Sequence, residues 1–242
     1  YDDGFVAYLN GQQVASRNAP ATPSWNSTAT AEHPATIASG YDSAILESGP
    51  AAYWRLGETS GTTAIDQLGS NNGQYVANPT LGETPSATLD SDTAVSFPGE
   101  SHVLVKPTTT DVDLPGVSGS GSVELWAKWD GGGGSRHALV SNRPACGAGC
   151  YDQMNYQFYI RNGNITSYMG TGSVEDNWGY AMPTGEWTHL VFTINDTTST
   201  GTLYVNGGNA AGGSEHTITE KFGSFPHTNE FRIGHFPHSS PE

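Results

Sequence analysis

The chain has 242 residues, enough for one large β-sandwich or two smaller units with a sizeable core. Nine basic residues stand against 24 acidic ones, a formal net charge of −15, so nucleic acid and anionic membranes are poor partners. With 31 Gly, 14 Pro and only 14% charged residues, the composition fits a turn-rich all-β extracellular or cell-surface protein rather than a helical cytosolic enzyme; no apolar run is long enough for membrane insertion.

Residues 1–40 read as a separate piece. Segments 5–9 and 12–17 predict two strands joined at Asn10-Gly11, a pair suited to the positive φ angles of a type I′ turn. A Pro-, Ala- and Thr-rich linker follows over 18–39. A lone hairpin is marginal in water, so it needs something to pack on. Residues 41–49 predict a short helix, with Asp42 at its start and Gly49-Pro50 at its end.

The next strand is expected to carry Tyr53, Trp54 and Leu56. Short strands follow at 95–97 and 103–105. Segment 122–129 alternates cleanly, with Val123, Leu125, Ala127 and Trp129 on one face and Glu124 and Lys128 on the other. Segment 138–140 is another strand. Tyr156, Phe158 and Ile160 share a face in a strand that turns at Asn162-Gly163 into 165–169. Leu190, Phe192 and Ile194 share a face after Trp187; Leu203 and Val205 lead into Asn206-Gly207; 231–233 is the last strand. Regular short strands separated by turn residues argue a sandwich of two antiparallel sheets.

Three strings sharpen this. Ala51-Ala52-Tyr53-Trp54-Arg55-Leu56-Gly57-Glu58, Gly185-Glu186-Trp187-Thr188-His189-Leu190-Val191-Phe192 and Leu203-Tyr204-Val205-Asn206-Gly207 occur in this order. Together they resemble the laminin-G-like branch of the concanavalin A-like lectin-glucanase superfamily, over about 41–236. The resemblance implies an all-β, concanavalin A-like jelly-roll β-sandwich over 41–242, with an N-terminal β-hairpin extension. The hairpin region, Asp2 to Gly11 with Arg17-Asn18-Ala19-Pro20 and Trp25-Asn26-Ser27, resembles part of a β-rich module of large bacterial extracellular multidomain proteins.

What the resemblance implies is a non-catalytic extracellular recognition or adhesion domain of a larger protein, with carbohydrate as its ligand. A second reading is a structural subunit of an extracellular filament, sheath or surface layer. It rests on the family's usual final strand, which has no counterpart before Glu242; open strand edges accept a partner strand, from another protein or a copy of the same chain. A glycan-active hydrolase ranks third. Retaining glucanases of this fold carry E-x-D-x-x-E on one strand face, and no Glu here has that spacing. Serine-hydrolase and zinc-hydrolase signatures are also missing.

Candidate ligand groups are few. Asp66 to Gly73 matches the family's D-x-x-G-x-x-N-G pattern, so the resemblance implies one structural calcium ion held by Asp66 and Asn72. Asp111 and Asp113 form a second acidic loop. For all four the alternative is an Asx-rich turn. Trp54, Trp129 and Trp187 fall at positions the family makes core. Trp178, on a polar loop with Tyr180, is the best platform for stacking on a sugar ring, against plain loop packing. His189 reads as a core or sheet-surface residue, and the histidines near the C-terminus, His235 among them, as a surface loop. Cys146 and Cys150 favour a small disulfide loop over a metal site. Asn26, Asn164 and Asn195 begin N-x-S/T sequons, relevant only in a eukaryotic secretory pathway.

Overall fold

A computed structural model describes residues 5–9, 12–17, 22, 41–84, 92–106, 120–132, 136–142, 156–169, 175–195, 197–198, 200–209, 216–217 and 230–235. The chain divides into two compact units, 1–50 and 51–242.

In the first unit, β1 (Phe5–Leu9) and β2 (Gln12–Arg17) form the expected antiparallel hairpin. Leu9 pairs with Gln12, the register that a two-residue connection imposes, and a bulge falls between Ala7 and Tyr8. Helix α1 (Tyr41–Glu47) has Asp42 in its first turn, where a carboxylate meets the positive end of the helix dipole. It ends as Gly49 turns to φ 68° and the Gly49 N–H bonds to the Leu46 carbonyl. The division between the units falls after Pro50, so α1 goes with the first unit rather than with 41–242 as the sequence suggests.

The second unit is built from β3 (Thr63–Ala64), β4 (Gly73–Val76), β5 (Thr80–Glu83), β6 (Ala94–Ser96), β7 (His102–Val105), β8 (Gly121–Lys128), β9 (Arg136–Asn142), β10 (Tyr156–Arg161), β11 (Asn164–Met169), β12 (Glu175–Ala181), β13 (Trp187–Asn195), β14 (Thr200–Val205), β15 (Gly208–Asn209), β16 (His216–Thr217) and β17 (Phe231–Ile233). An eight-stranded sheet runs β12-β11-β10-β9-β17-β7-β4-β3; a five-stranded sheet runs β15-β14-β13-β8, with β16 also on β14. β5 and β6 pair separately. The pairings between strands are antiparallel.

The two large sheets face one another through their apolar alternates. Tyr156, Phe158 and Ile160 of β10, with Ile165 of β11, meet Leu190, Phe192 and Ile194 of β13 and Leu203 of β14, all buried. The Phe158 and Phe192 rings stack at 4.0 Å, and Trp178 of β12 sets its edge on Phe192 at 5.9 Å. This is the two-sheet sandwich that the alternation predicts and the jelly roll that the resemblance implies.

The first expected strand of this unit differs. The stretch with Tyr53, Trp54 and Leu56 is not a strand; it makes one bridge, Trp54 to Asp66. Leu56 sits at φ 58°, which breaks an extended path. Trp54 nonetheless reaches the core, stacking on Phe231 at 5.3 Å, and its indole N–H donates to the Asn71 carbonyl.

Candidate functional site

The strand that supplies the core also supplies the site. Along β10, Tyr156, Phe158 and Ile160 point into the sandwich, so Gln157, Tyr159 and Arg161 point to the opposite face of the eight-stranded sheet. Sheet register fixes their neighbours. Arg161 lies opposite Arg136 of β9 and Asn164 of β11, Tyr159 opposite Thr166, and Gln157 opposite Tyr168. Beyond them, Thr166 pairs with Asn177 and Tyr168 with Glu175 of β12.

Glu175 is the hub. Its Oε1 accepts from the Tyr159 hydroxyl at 2.6 Å and from Arg136 Nη2 at 2.7 Å; its Oε2 takes Arg161 Nη1. Two like charges directly opposite one another on antiparallel strands are destabilising, and the carboxylate bridging them offsets that cost. Tyr159 is only 1% exposed, and its burial raises the phenol pKa although both guanidiniums pull the other way. The phenol therefore keeps its proton and donates. Gln157 is also buried, and its Nε2 finds no hydrogen-bond partner among the described residues.

Beside this network lies an open depression of about 250 Å³, lined by Arg161, Asn162, Asn164, Thr166, Glu175 and Asn177. The Asn162-Gly163 turn shapes its rim with φ of 49° and 81°, the left-handed pair of a tight hairpin. Asn177 Oδ1 accepts the Gly179 N–H and Asn164 Nδ2 donates to the Asn162 carbonyl, so each amide is held in one orientation with its other end available to a ligand.

Two further clusters lie apart. At the middle of the same sheet, the His102 and His235 rings stack at 4.9 Å. His102 Nδ1 donates to the Glu100 carbonyl, and the buried Arg232 pairs with Glu230. Burial is the main cause that lowers both histidine pKa values, with Arg232 adding to it. His235 lies past β17, outside any strand, half-buried with its ring packed on His102. On the outward face of the five-stranded sheet, His189 Nε2 donates to Glu124 Oε1 at 2.9 Å while its ring lies 5.0 Å from Trp126, and Lys128 Nζ sits 5.7 Å over Trp187. His189 is a sheet-surface residue, and Trp187 is half-buried beside it rather than core. A shallow 520 Å³ depression near Ser122, Thr193 and Thr202 on this sheet carries no charged side chain.

The family model of the concanavalin A-like lectin/glucanases superfamily matches residues 97–241, more than half of the chain. The chain belongs to this superfamily. The likeness in solved structures is one of fold. A sialidase of Trypanosoma rangeli superposes with a TM-score of 0.52 at 16% identity, over 76% of this chain and 27% of that one. The same sialidase with a difluoro-sugar bound gives 0.52 at 15% identity over the same shares. The chain therefore spans about a quarter of the length of those structures. A galectin of Caenorhabditis elegans aligns with a TM-score of 0.32 at 18% identity, over 55% of this chain and 88% of that one. No curated protein matches.

Within this concanavalin A-like sandwich the residues singled out in the sequence are scattered. Trp178 is no stacking platform: it lies on β12, not on a loop, and is fully buried, its indole N–H donating to Ser167 Oγ at 2.9 Å. Tyr180, two residues on along β12, is half-buried and packs against the core. Asp66 is buried, and its carboxylate accepts four backbone N–H groups, those of Tyr53, Leu68, Ser70 and Asn71. Asn72 Oδ1 accepts the Asp66 N–H. The four acceptor positions of the Asp66 carboxylate are thus occupied, the arrangement of a turn-holding aspartate. Among the described residues no three His, Cys, Asp or Glu come together as a metal group. Asn164 borders the depression; Asn195 is exposed and caps a turn through the N–H groups of Thr197 and Thr198. Asp111, Asp113, Cys146, Cys150 and Asn26 lie outside the described residues. No helix among the described residues is long and apolar enough to cross a membrane.

Arg136, Tyr159, Arg161 and Glu175 are not among the candidates that the sequence alone offers. A signal existed: the alternation that puts Tyr156, Phe158 and Ile160 inside puts Gln, Tyr and Arg together outside, next to an Asn-Gly turn.

Proposed function

We propose that the chain is a non-catalytic, glycan-binding module of an extracellular protein, and that it binds through the polar face of the eight-stranded sheet. One observation carries this: a depression lined wholly by polar side chains, with Arg161, Asn164, Thr166, Glu175 and Asn177 offering donors and acceptors from three adjacent strands. Sugar hydroxyls both donate and accept, and a fixed array of amides and charged groups is the complement they need. Hydrolysis by a carboxylate pair needs two acids across a glycosidic bond. The lining of the depression holds one carboxylate, Glu175, and it is held by two arginines and a tyrosine.

A glycan array probed with the wild-type chain and with Asn177→Ala tests this. Binding of a defined glycan set, weakened about tenfold or more by the substitution and without release of reducing sugar, supports the reading; a chain that binds no glycan overturns it.

A second reading, assembly by strand exchange, is supported by β8. This eight-residue strand pairs along its length with β13 and ends the five-stranded sheet among the described residues. Light scattering that gives a mass near 25.5 kDa removes it.

A further inference from the structure

We infer that the ligand of this face is an anionic saccharide whose carboxylate is gripped by Arg161 and Arg136. The inference rests on the glycan-binding reading and names the class of glycan.

The charge balance at the site is the first ground. Arg136 and Arg161 occupy directly opposed register positions on β9 and β10, and among the described residues the one carboxylate paired with them is Glu175, which leaves one positive charge in excess there. In a chain with nine basic and 24 acidic residues, two arginines converging on one carboxylate, with Arg161 and that carboxylate lining the depression, stand against the field of the rest of the surface. The acidic surroundings repel an anion elsewhere and leave this spot as the favourable one.

Donor geometry is the second ground. A guanidinium offers five N–H groups in a planar fork suited to a carboxylate. Among the described residues each of these arginines commits one terminal nitrogen to Glu175, through Arg136 Nη2 and Arg161 Nη1. The remaining edge of Arg161 borders the depression, and its side chain is 42% exposed. Glu175 itself shows that this pair accommodates a carboxylate; a second carboxylate on the open side makes an alternating pair of acids and guanidiniums.

The third ground is preorganisation. The fully buried Tyr159 donates to Glu175, and Glu175 holds both guanidiniums before the ligand arrives, so little ordering cost remains for binding. Asn164 and Asn177 flank the depression and meet the hydroxyls next to the acid group.

Titration calorimetry of the wild-type chain with an oligogalacturonate and with the same oligosaccharide fully methyl-esterified tests this without any variant. The esters keep the sugar shape and remove the charge. The expected result is binding of the free acid at least tenfold tighter than the ester, weakening as salt is raised. Arg161→Gln, checked for folding by circular dichroism, should remove most of that preference, bringing the affinity for the free acid down to within a few-fold of that for the ester. Equal affinity for acid and ester overturns the inference and leaves glycan binding standing. Binding to a neutral oligosaccharide panel but not to the uronate does the same. A sulfated oligosaccharide preferred over the uronate overturns the assignment of a carboxylate. No binding to any of these overturns the inference and counts against the glycan-binding reading itself.

Discussion

Gly201 on β14 leaves the space in which the Trp178 indole of β12 lies: a Cβ at Gly201 would come within 2.6 Å of the Trp178 ring and 3.2 Å of Ile194. The contact joins the two large sheets at the strand that also carries Glu175. Gly201→Ala is therefore expected to destabilise the domain by about 1–3 kcal/mol through overpacking. Urea unfolding followed by tryptophan fluorescence measures it, and an unchanged midpoint would mean that β12 is not packed on β14 in this way.

Asp66 organises its loop by accepting four backbone N–H groups. Asp66→Ala should cost about 3 kcal/mol, because four N–H groups lose a charged acceptor and the N–H of Asn71 among them is buried. With the acceptor positions filled, a chelator should leave the wild-type melting temperature unchanged. A fall on chelation that calcium restores would give back to this loop the metal role that its sequence pattern suggests.

The stacked His102 and His235 make stability depend on pH in a defined direction. Both folded pKa values are lowered, mainly by burial, from the ordinary 6.5. As pH falls below about 6.5 the unfolded chain takes up protons that the folded chain resists, so this contribution is present above that value and is lost on acidification. Glu100 moderates the effect at both histidines and Glu230 at His102, while Arg232 strengthens it at both. Melting temperatures measured between about pH 5 and 8 should rise with pH more steeply for the wild type than for His102→Gln. Equal slopes would contradict the buried stack.

Tyr159 donates to Glu175 from a fully buried position. Tyr159→Phe should cost roughly 1–3 kcal/mol, since the acceptor is charged. Glycan affinity should fall with it as the two arginines lose their fixed hub. Tyr75, whose hydroxyl bonds to Glu58, is raised by burial in the same way as Tyr159. Both keep their protons when folded, so stability should drop as pH climbs past about 10, where the unfolded tyrosines ionise.

Much of the sandwich is readable in the chain because its strands alternate. In β10 and β13 a period of two places every second residue in the core, and Asn-Gly pairs mark the turns between β10 and β11 and after β14. β12 is not readable in that way. Its sequence, Glu-Asp-Asn-Trp-Gly-Tyr-Ala, looks like a polar loop, and only pairing with β11 and burial of Trp178 against the facing sheet make it a strand. The misplacement of Trp178 followed from that. The arginine–glutamate hub was hidden for a different reason: Arg136 and Glu175 lie 39 positions apart on strands with two others between them in the sheet, and only the register brings them together.

The most direct test of the central claim is amide and side-chain NMR of the labelled chain during titration with an acidic oligosaccharide. Shift changes are expected to centre on Arg161, Asn164, Thr166, Glu175 and Asn177, including the Asn177 side-chain amide. Changes confined to the Trp126 and His189 face of the other sheet, or no changes at all, would contradict it.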